Sequence, residues 1–213
     1  MAKDKVSKEE LRTDPFLSML GNLNDFYKNN KIMLQWVTTG VLVFAVLVIF
    51  VAQYRAHRRK KEQLAFENAI SMAGINEYLD NFSNGTYYPL VLYKKANLLF
   101  SSNDFKGAVE TYRTIIADCA GHAVAPQALL GMGYAYMALN DYENARQSFD
   151  RLIKDYKDNP FVNDATVNLA RCLVRLGDNS KAQEVIDMFL ENEPNSLLAP
   201  EAKKMLPEIK RKL

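Results

Sequence analysis

Residues 128–149 read ALLGMGYAYMALNDYENARQSF, and the stretch from 149 to 186 continues as FDRLIKDYKDNPFVNDATVNLARCLVRLGDNSKAQEVI. Apolar residues recur here at helical spacing, with a short turn such as Asn140-Asp141-Tyr142 between one run and the next. The same layout repeats at a fixed interval. Ala108, Ala145 and Ala182 lie 37 residues apart, as do Asp104, Asp141 and Asp178, and Pro89 and Pro126. Ala96, Gly133 and Ala170 fall twelve residues before those alanines, so both helices of each unit carry a small residue where two backbones must approach closely. Larger residues fill the rest of the seam: Leu92, Leu99, Tyr112 and Ile115, then Leu129, Met132, Tyr136, Phe149 and Leu152, then Leu169, Leu173, Ile186 and Phe189. This pattern predicts an all-α solenoid of about three helical hairpins over residues 87–206. No run alternates with period two, as a strand would.

Gly133, Tyr136, Ala145 and Phe149, followed by Ala170, Leu173, Ala182, Phe189 and Pro194, resemble the tetratricopeptide signature. The interval of 37 exceeds that family's usual 34 because each turn between units is about three residues longer. A degenerate helix at 63–82 is expected to cap the stack at one end. Residues 203–213, interrupted by Pro207, are expected to close the other as a capping helix, with 207–213 as a basic tail.

Outward of the repeats lies the most apolar segment, Ile32 to Ala52, with 21 residues and no charge. At 1.5 Å per residue a helix of that length reaches about 31 Å, close to the hydrocarbon thickness of a bilayer. A single transmembrane helix is therefore expected at 32–53, with Trp36 and Tyr54 near its ends and Lys31 and Arg55 bracketing it. A cleaved signal peptide fits poorly, because the segment is longer than a signal core and begins more than 30 residues into the chain. Residues 54–86 form a basic juxtamembrane segment and the capping helix. Arg55, Arg58, Arg59, Lys60 and Lys61 are candidates for contact with lipid headgroups. Counted by itself this basic flank would leave the repeats in the cytoplasm. The N-terminal arm, 1–31, starts polar, then presents Asp14-Pro15 as a helix start and Phe16, Leu17, Leu20, Leu23, Phe26 and Tyr27 at helical spacing. Two readings stay open for it: a short amphipathic helix that docks on a partner or bilayer, or a poorly ordered tail.

Composition excludes other classes. The chain has 213 residues, 48% of them apolar and 24% charged, and a formal charge of +2, which gives no nucleic-acid signature and rules out a wholly unstructured chain. Its two cysteines, Cys119 and Cys172, exclude a disulfide framework, and a bond between them needs geometry that spacing does not supply. His57 and His122 show no metal-ligand spacing, and Gly131-x-Gly133 lacks the preceding strand and third glycine of a dinucleotide loop. No catalytic constellation, cofactor site or metal site is expected.

Function follows from the surface that stacked hairpins make. First helices line the inner face of such a stack, and that face binds extended peptides or partner helices. The candidates that project there are Tyr93, Lys94, Asn97, Gln127, Leu130, Tyr134, Asn163, Thr166, Asn168 and Arg171, with Tyr134, Asn168 and Arg171 foremost for their aromatic, amide and guanidinium groups. The arrangement of a charged arm with FYKNNK before one span, then YRAHRRKKEQLAFENA and repeats, resembles the YfgM-type ancillary subunits of the bacterial Sec translocon. That resemblance implies an inner-membrane protein with its N-terminus cytoplasmic and its repeats periplasmic, where they would meet client proteins or chaperones beside a membrane-embedded complex. A fixed structural subunit of a larger complex is the competing expectation.

Overall fold

The computed structural model describes residues 15–211, which form ten α-helices with no strand among the described residues. The chain divides into two units, one ending at Arg59 and one starting at Lys60.

The first unit holds α1, Pro15–Asn29, and most of α2, Lys31–Asn68. Pro15 opens α1, where its missing N–H is no loss; the expected cap Asp14 lies outside the described residues. Asn30 closes α1 by donating its backbone N–H to the Phe26 carbonyl, and its own carbonyl accepts from Leu34 as α2 begins. α2 is one uninterrupted helix of 38 residues, about 57 Å long at 1.5 Å per residue. The expected capping helix at 63–82 is divided, because this helix runs on through the juxtamembrane residues to Asn68 and a separate helix starts at Met72. The basic residues from Arg55 to Lys61 continue the helix because Arg, Lys and Gln are good helix formers and no Gly or Pro intervenes. The helix is long and apolar enough to cross a membrane, judged by length and composition. The Thr38 and Thr39 hydroxyls both return to the Gln35 carbonyl, so neither presents an unpaired donor.

The second unit begins with the last turns of α2 and α3, Met72–Asn81, and continues as paired helices. α4 (Tyr88–Ser101) pairs with α5 (Phe105–Asp118), α6 (Ala125–Ala138) with α7 (Tyr142–Asp155), and α8 (Val162–Leu176) with α9 (Asn179–Asn192); α10 (Ala199–Arg211) follows. Substantial packing runs between consecutive helices, with a lesser contact from α4 to α6, the arrangement of a solenoid. First helices begin at 88, 125, 162 and 199, so the 37-residue interval of the sequence is the interval of the structure.

Each hairpin turn has the same construction. Asn103, Asn140 and Gly177 adopt positive φ, 63°, 60° and 84°. The next residue is an aspartate whose N–H reaches five residues back, to Leu99, Tyr136 and Leu173, each at 2.9 Å. The aspartate side chains then cap the second helices by accepting from the N–H groups of Gly107, Asn144 and Lys181. Inside the hairpins Ala96, Ala108, Ala145, Ala170 and Ala182 are fully buried. A Cβ built on Gly133 would stand 2.4 Å from the Phe149 ring, which fixes glycine at this crossing.

The longer turns between repeats also share one form: N–H groups at 122 and 125 donate to the carbonyls of 119 and 122, a pattern repeated from 156 and from 193. It recurs once more, from Phe82 through Gly85 to Tyr88. The register therefore continues one unit toward the N-terminus, where Ile75 and Tyr78 of α3 take the core positions held by Tyr112 and Ile115, Phe149 and Leu152, and Ile186 and Phe189. This unit joins α2 to the repeats through Glu62. Its carboxylate, 7% exposed, accepts from the Tyr78 hydroxyl at 2.8 Å and from the Tyr87 N–H at 3.1 Å. A Cβ on Gly85 would lie 2.5 Å from the same Glu62 oxygen, so the loop closes over it only with glycine there. Phe66 stacks on Tyr87 at 4.5 Å, and Lys94 sits 4.0 Å over the Phe66 ring.

At the other end, Pro207 does not interrupt the capping helix, and the expected tail from 207 is helical as far as Arg211. The carbonyl that Pro207 leaves without its helical partner is on exposed Lys203, and fully buried Ile209 anchors the turn beyond.

Two outcomes follow for stability, measured by urea unfolding of the full chain in detergent. Asp141→Ala, which removes a capping acceptor, lowers stability by about 1 kcal/mol, and Asp178→Ala does the same. Glu62→Leu leaves the buried Tyr78 hydroxyl and the half-buried Tyr87 N–H without their acceptor and costs about 2 kcal/mol, whereas Glu62→Gln keeps an acceptor and costs less.

Candidate functional site

The first helices α4, α6, α8 and α10 place equivalent residues in columns 37 apart. Asn97, Tyr134, Arg171 and Glu208 form one column, and Leu90, Gln127, Asp164 and Glu201 another. Between α4 and α6 these columns frame a depression of about 180 Å³ lined by Tyr93, Asn97, Phe100, Tyr112, Gln127, Leu130, Gly131 and Tyr134. Five predicted groove residues thus meet in one place. None of the lining side chains carries a formal charge. The Tyr112 hydroxyl donates to Asn97 Oδ1 at 2.5 Å, and the Tyr93 ring tilts against Tyr112 with centroids 6.1 Å apart. Gln127 Oε1 is buried and accepts no hydrogen bond.

The three foremost candidates meet as well, but in contact with one another. The Tyr134 hydroxyl donates to Asp164 Oδ1 at 2.7 Å. The Asn168 amide donates to the Tyr134 oxygen at 3.1 Å and to both the carbonyl and the carboxylate of Asp164. Arg171 donates to Asn168 Oδ1 and, across to α10, to the Glu201 carboxylate. Asn168, expected to project from the stack, is 3% exposed. Its amide is drawn inward because Asp164, one turn earlier, and Tyr134, one repeat earlier, supply an acceptor and a hydroxyl in reach. The chain Tyr134–Asp164–Asn168–Arg171–Glu201 joins three successive first helices across the inner face.

Beyond it, Arg171, Val174, Arg175, Met205 and Glu208 line a second depression of about 410 Å³. Arg175, Met205 and Glu208 were not among the sequence candidates, although Met205 and Glu208 stand 37 residues after Asn168 and Arg171. Of the remaining candidates, Lys94 is engaged by the end of α2, where its ammonium donates to the Phe66 carbonyl, and the Thr166 hydroxyl returns to the Val162 carbonyl.

Arg55, Arg58, Arg59, Lys60 and Lys61 are all exposed on α2. At 100° per residue they fall around the helix as a collar and not on one face. Among the described residues no group of three His, Cys, Asp or Glu side chains could hold a metal ion. Both cysteines are free thiols; burial pushes that of Cys172 up to about 11 and raises that of Cys119 as well.

The tetratricopeptide repeat family is matched by residues 93–160 and, overlapping them, by 130–196. Residues 93–196 are similar to tetratricopeptide repeats. The first tetratricopeptide domain of human RPAP3 has a similar fold, at 20% identity over 60% of this chain and 94% of that one, with a TM-score of 0.50. The tetratricopeptide-like repeats of a Podospora anserina kinesin light chain, described as putative, are similar at 14% identity over 72% of this chain and 93% of that one, with a TM-score of 0.51. No curated protein matches the chain by sequence. Tetratricopeptide repeats are interaction scaffolds.

Burial holds the phenols of Tyr112 and Tyr134 above the usual tyrosine range, with Asp164 adding to the effect at Tyr134, and burial and Glu62 do the same at Tyr78. A raised native value means stability that is complete below the unfolded tyrosine value and lost as pH climbs past it. The expected outcome is a fall in stability above pH about 10, with these phenols still protonated when exposed tyrosines have ionised. Absorbance at 295 nm together with alkaline unfolding measures both.

Proposed function

We propose that this chain is a membrane-anchored interaction scaffold: α2 crosses the bilayer and the repeats hold an extended segment of a client or chaperone in the α4–α6 groove. The observation that carries the proposal is the uncharged depression of Tyr93, Asn97, Gln127, Leu130 and Tyr134, with aromatic faces and two side-chain amides. Aromatic faces suit apolar side chains, and an amide acceptor suits a peptide N–H. The anchor is supported by Ile32 to Val51, whose large apolar side chains stand exposed over five helical turns, far beyond what a water-soluble surface tolerates. The layout of arm, span and repeats favours an inner-membrane protein with a cytoplasmic N-terminus and periplasmic repeats, serving protein translocation or assembly in the envelope, beside a complex such as the Sec translocon.

A second reading, a fixed structural subunit of a larger membrane complex, is favoured by the Tyr134–Glu201 network, which satisfies much of the inner face internally.

Protease treatment of intact spheroplasts tests the placement: digestion of the repeats supports the periplasmic reading, and protection until the membrane is broken overturns it. A photo-crosslinking residue at Leu130, compared with one at exposed Glu184 on α9, tests the groove. The scaffold reading expects crosslinks from 130 alone that free peptide competes away and Gln127→Ala weakens. Salt-resistant, stoichiometric co-purification indifferent to Gln127→Ala would establish the fixed subunit instead.

A further inference from the structure

α1 has a face that nothing in the repeats or the span explains. At 100° per residue Met19, Leu20, Leu23, Phe26 and Tyr27 fall within an arc of about 120°. Each of these side chains is between 48% and 61% exposed. Ser18, Asp25, Lys28 and Asn29 occupy the opposite side, with Asn22 and Asn24 on its flanks. A 15-residue helix containing Gly21 and three interior or terminal asparagines is too short and too weak in propensity to persist in water by itself. Its order therefore calls for an apolar surface beneath the stripe.

Position decides which surface. Only Asn30 separates α1 from α2, so every residue of α1 lies within about 23 Å of the point where the apolar helix begins. At that point the bilayer interface is present whatever other proteins are nearby. Asp25 and the asparagines make α1 too polar to extend the span inward, while Lys28 and Lys31 at the junction suit the phosphate layer. We propose that α1 lies in the plane of the membrane surface, its Met19–Leu20–Leu23–Phe26–Tyr27 stripe sunk among the upper acyl chains and its polar side in water. The inference rests on the membrane-anchor reading of α2. It assigns a lipid surface to the arm in place of a protein partner.

Trp36 is the chain's only tryptophan, which permits a direct test. In a Trp36→Phe background, the full chain carrying Leu20→Trp, Asn22→Trp or Leu47→Trp is reconstituted into phosphatidylcholine–phosphatidylglycerol vesicles, with or without brominated acyl chains. The proposal expects tryptophan at 20 to emit to the blue and to be quenched by the brominated lipid at least about twofold more than tryptophan at 22, with 47 quenched deeply. Quenching at 47 with neither 20 nor 22 quenched would overturn the interfacial helix and leave the anchor standing. Equal quenching at 20 and 22 would overturn it too, since α1 would then lack a lipid face. No quenching at 47 would overturn the anchor and with it this inference. Leu23→Trp against Asp25→Trp repeats the comparison if the first pair disturbs the helix.

Discussion

A residue in the left-handed conformation followed by a capping aspartate holds each hairpin closed, and the groove exists only because that turn is made the same way three times. The positive φ at Asn103, Asn140 and Gly177 bends the chain back at once. The aspartate then serves both helices, its N–H closing the first and its carboxylate opening the second. With the reversal fixed, the small residues Ala96, Gly133 and Ala170 fall opposite Ala108, Ala145 and Ala182, and the two backbones can approach. Successive hairpins then stack with their first helices adjacent, which brings Tyr93, Gln127 and Tyr134 together from two repeats.

The repeat region was legible because its signals are periodic and local: an aspartate, an alanine and a seam of large apolar residues returning every 37 positions. The unit before it was not. Arg59 stands where Ala96, Gly133 and Ala170 stand later, and α3 starts only at Met72, so the small-residue signal vanishes while the turn from Phe82 to Tyr88 survives. Glu62 was hidden by its neighbours. A carboxylate beside five basic residues reads as solvated, and only the folded chain reveals that Tyr78 and the loop at Gly85 enclose it. Pro207 misled in the opposite direction, since a proline near a helix end costs little when its orphaned carbonyl is wet and a buried isoleucine follows.

The groove was half legible. Side chains that leave the seam can be counted off a helix, and Tyr93, Asn97, Gln127 and Tyr134 line the α4–α6 depression, with Leu130 buried at its wall. What a polar residue does there depends on neighbours from other repeats. Asn168 turns inward because Asp164 and Tyr134 receive it, and Arg171 is held by Glu201 from a helix 30 residues further on. Acids such as Asp164 and Glu201 gave no separate signal, being ordinary solvated residues until the columns are aligned. The result is an inner face divided by a polar tie, uncharged on one side and guanidinium-bearing on the other.

α8 belongs to two cores at once. Ala165 and Cys172 are packed with the repeats before it, while Val167, Ala170 and Leu173 are packed with α9 and α10. α8 is thus the wall between two interiors, one shared with the earlier repeats and one with α9 and α10. Glu201 would leave with α10, releasing Arg171 at the centre of the inner face. Fraying of α9 and α10 would in that way leave the Arg171 guanidinium with Asn168 alone, so the charge on the inner face depends on how firmly the last helices stay packed.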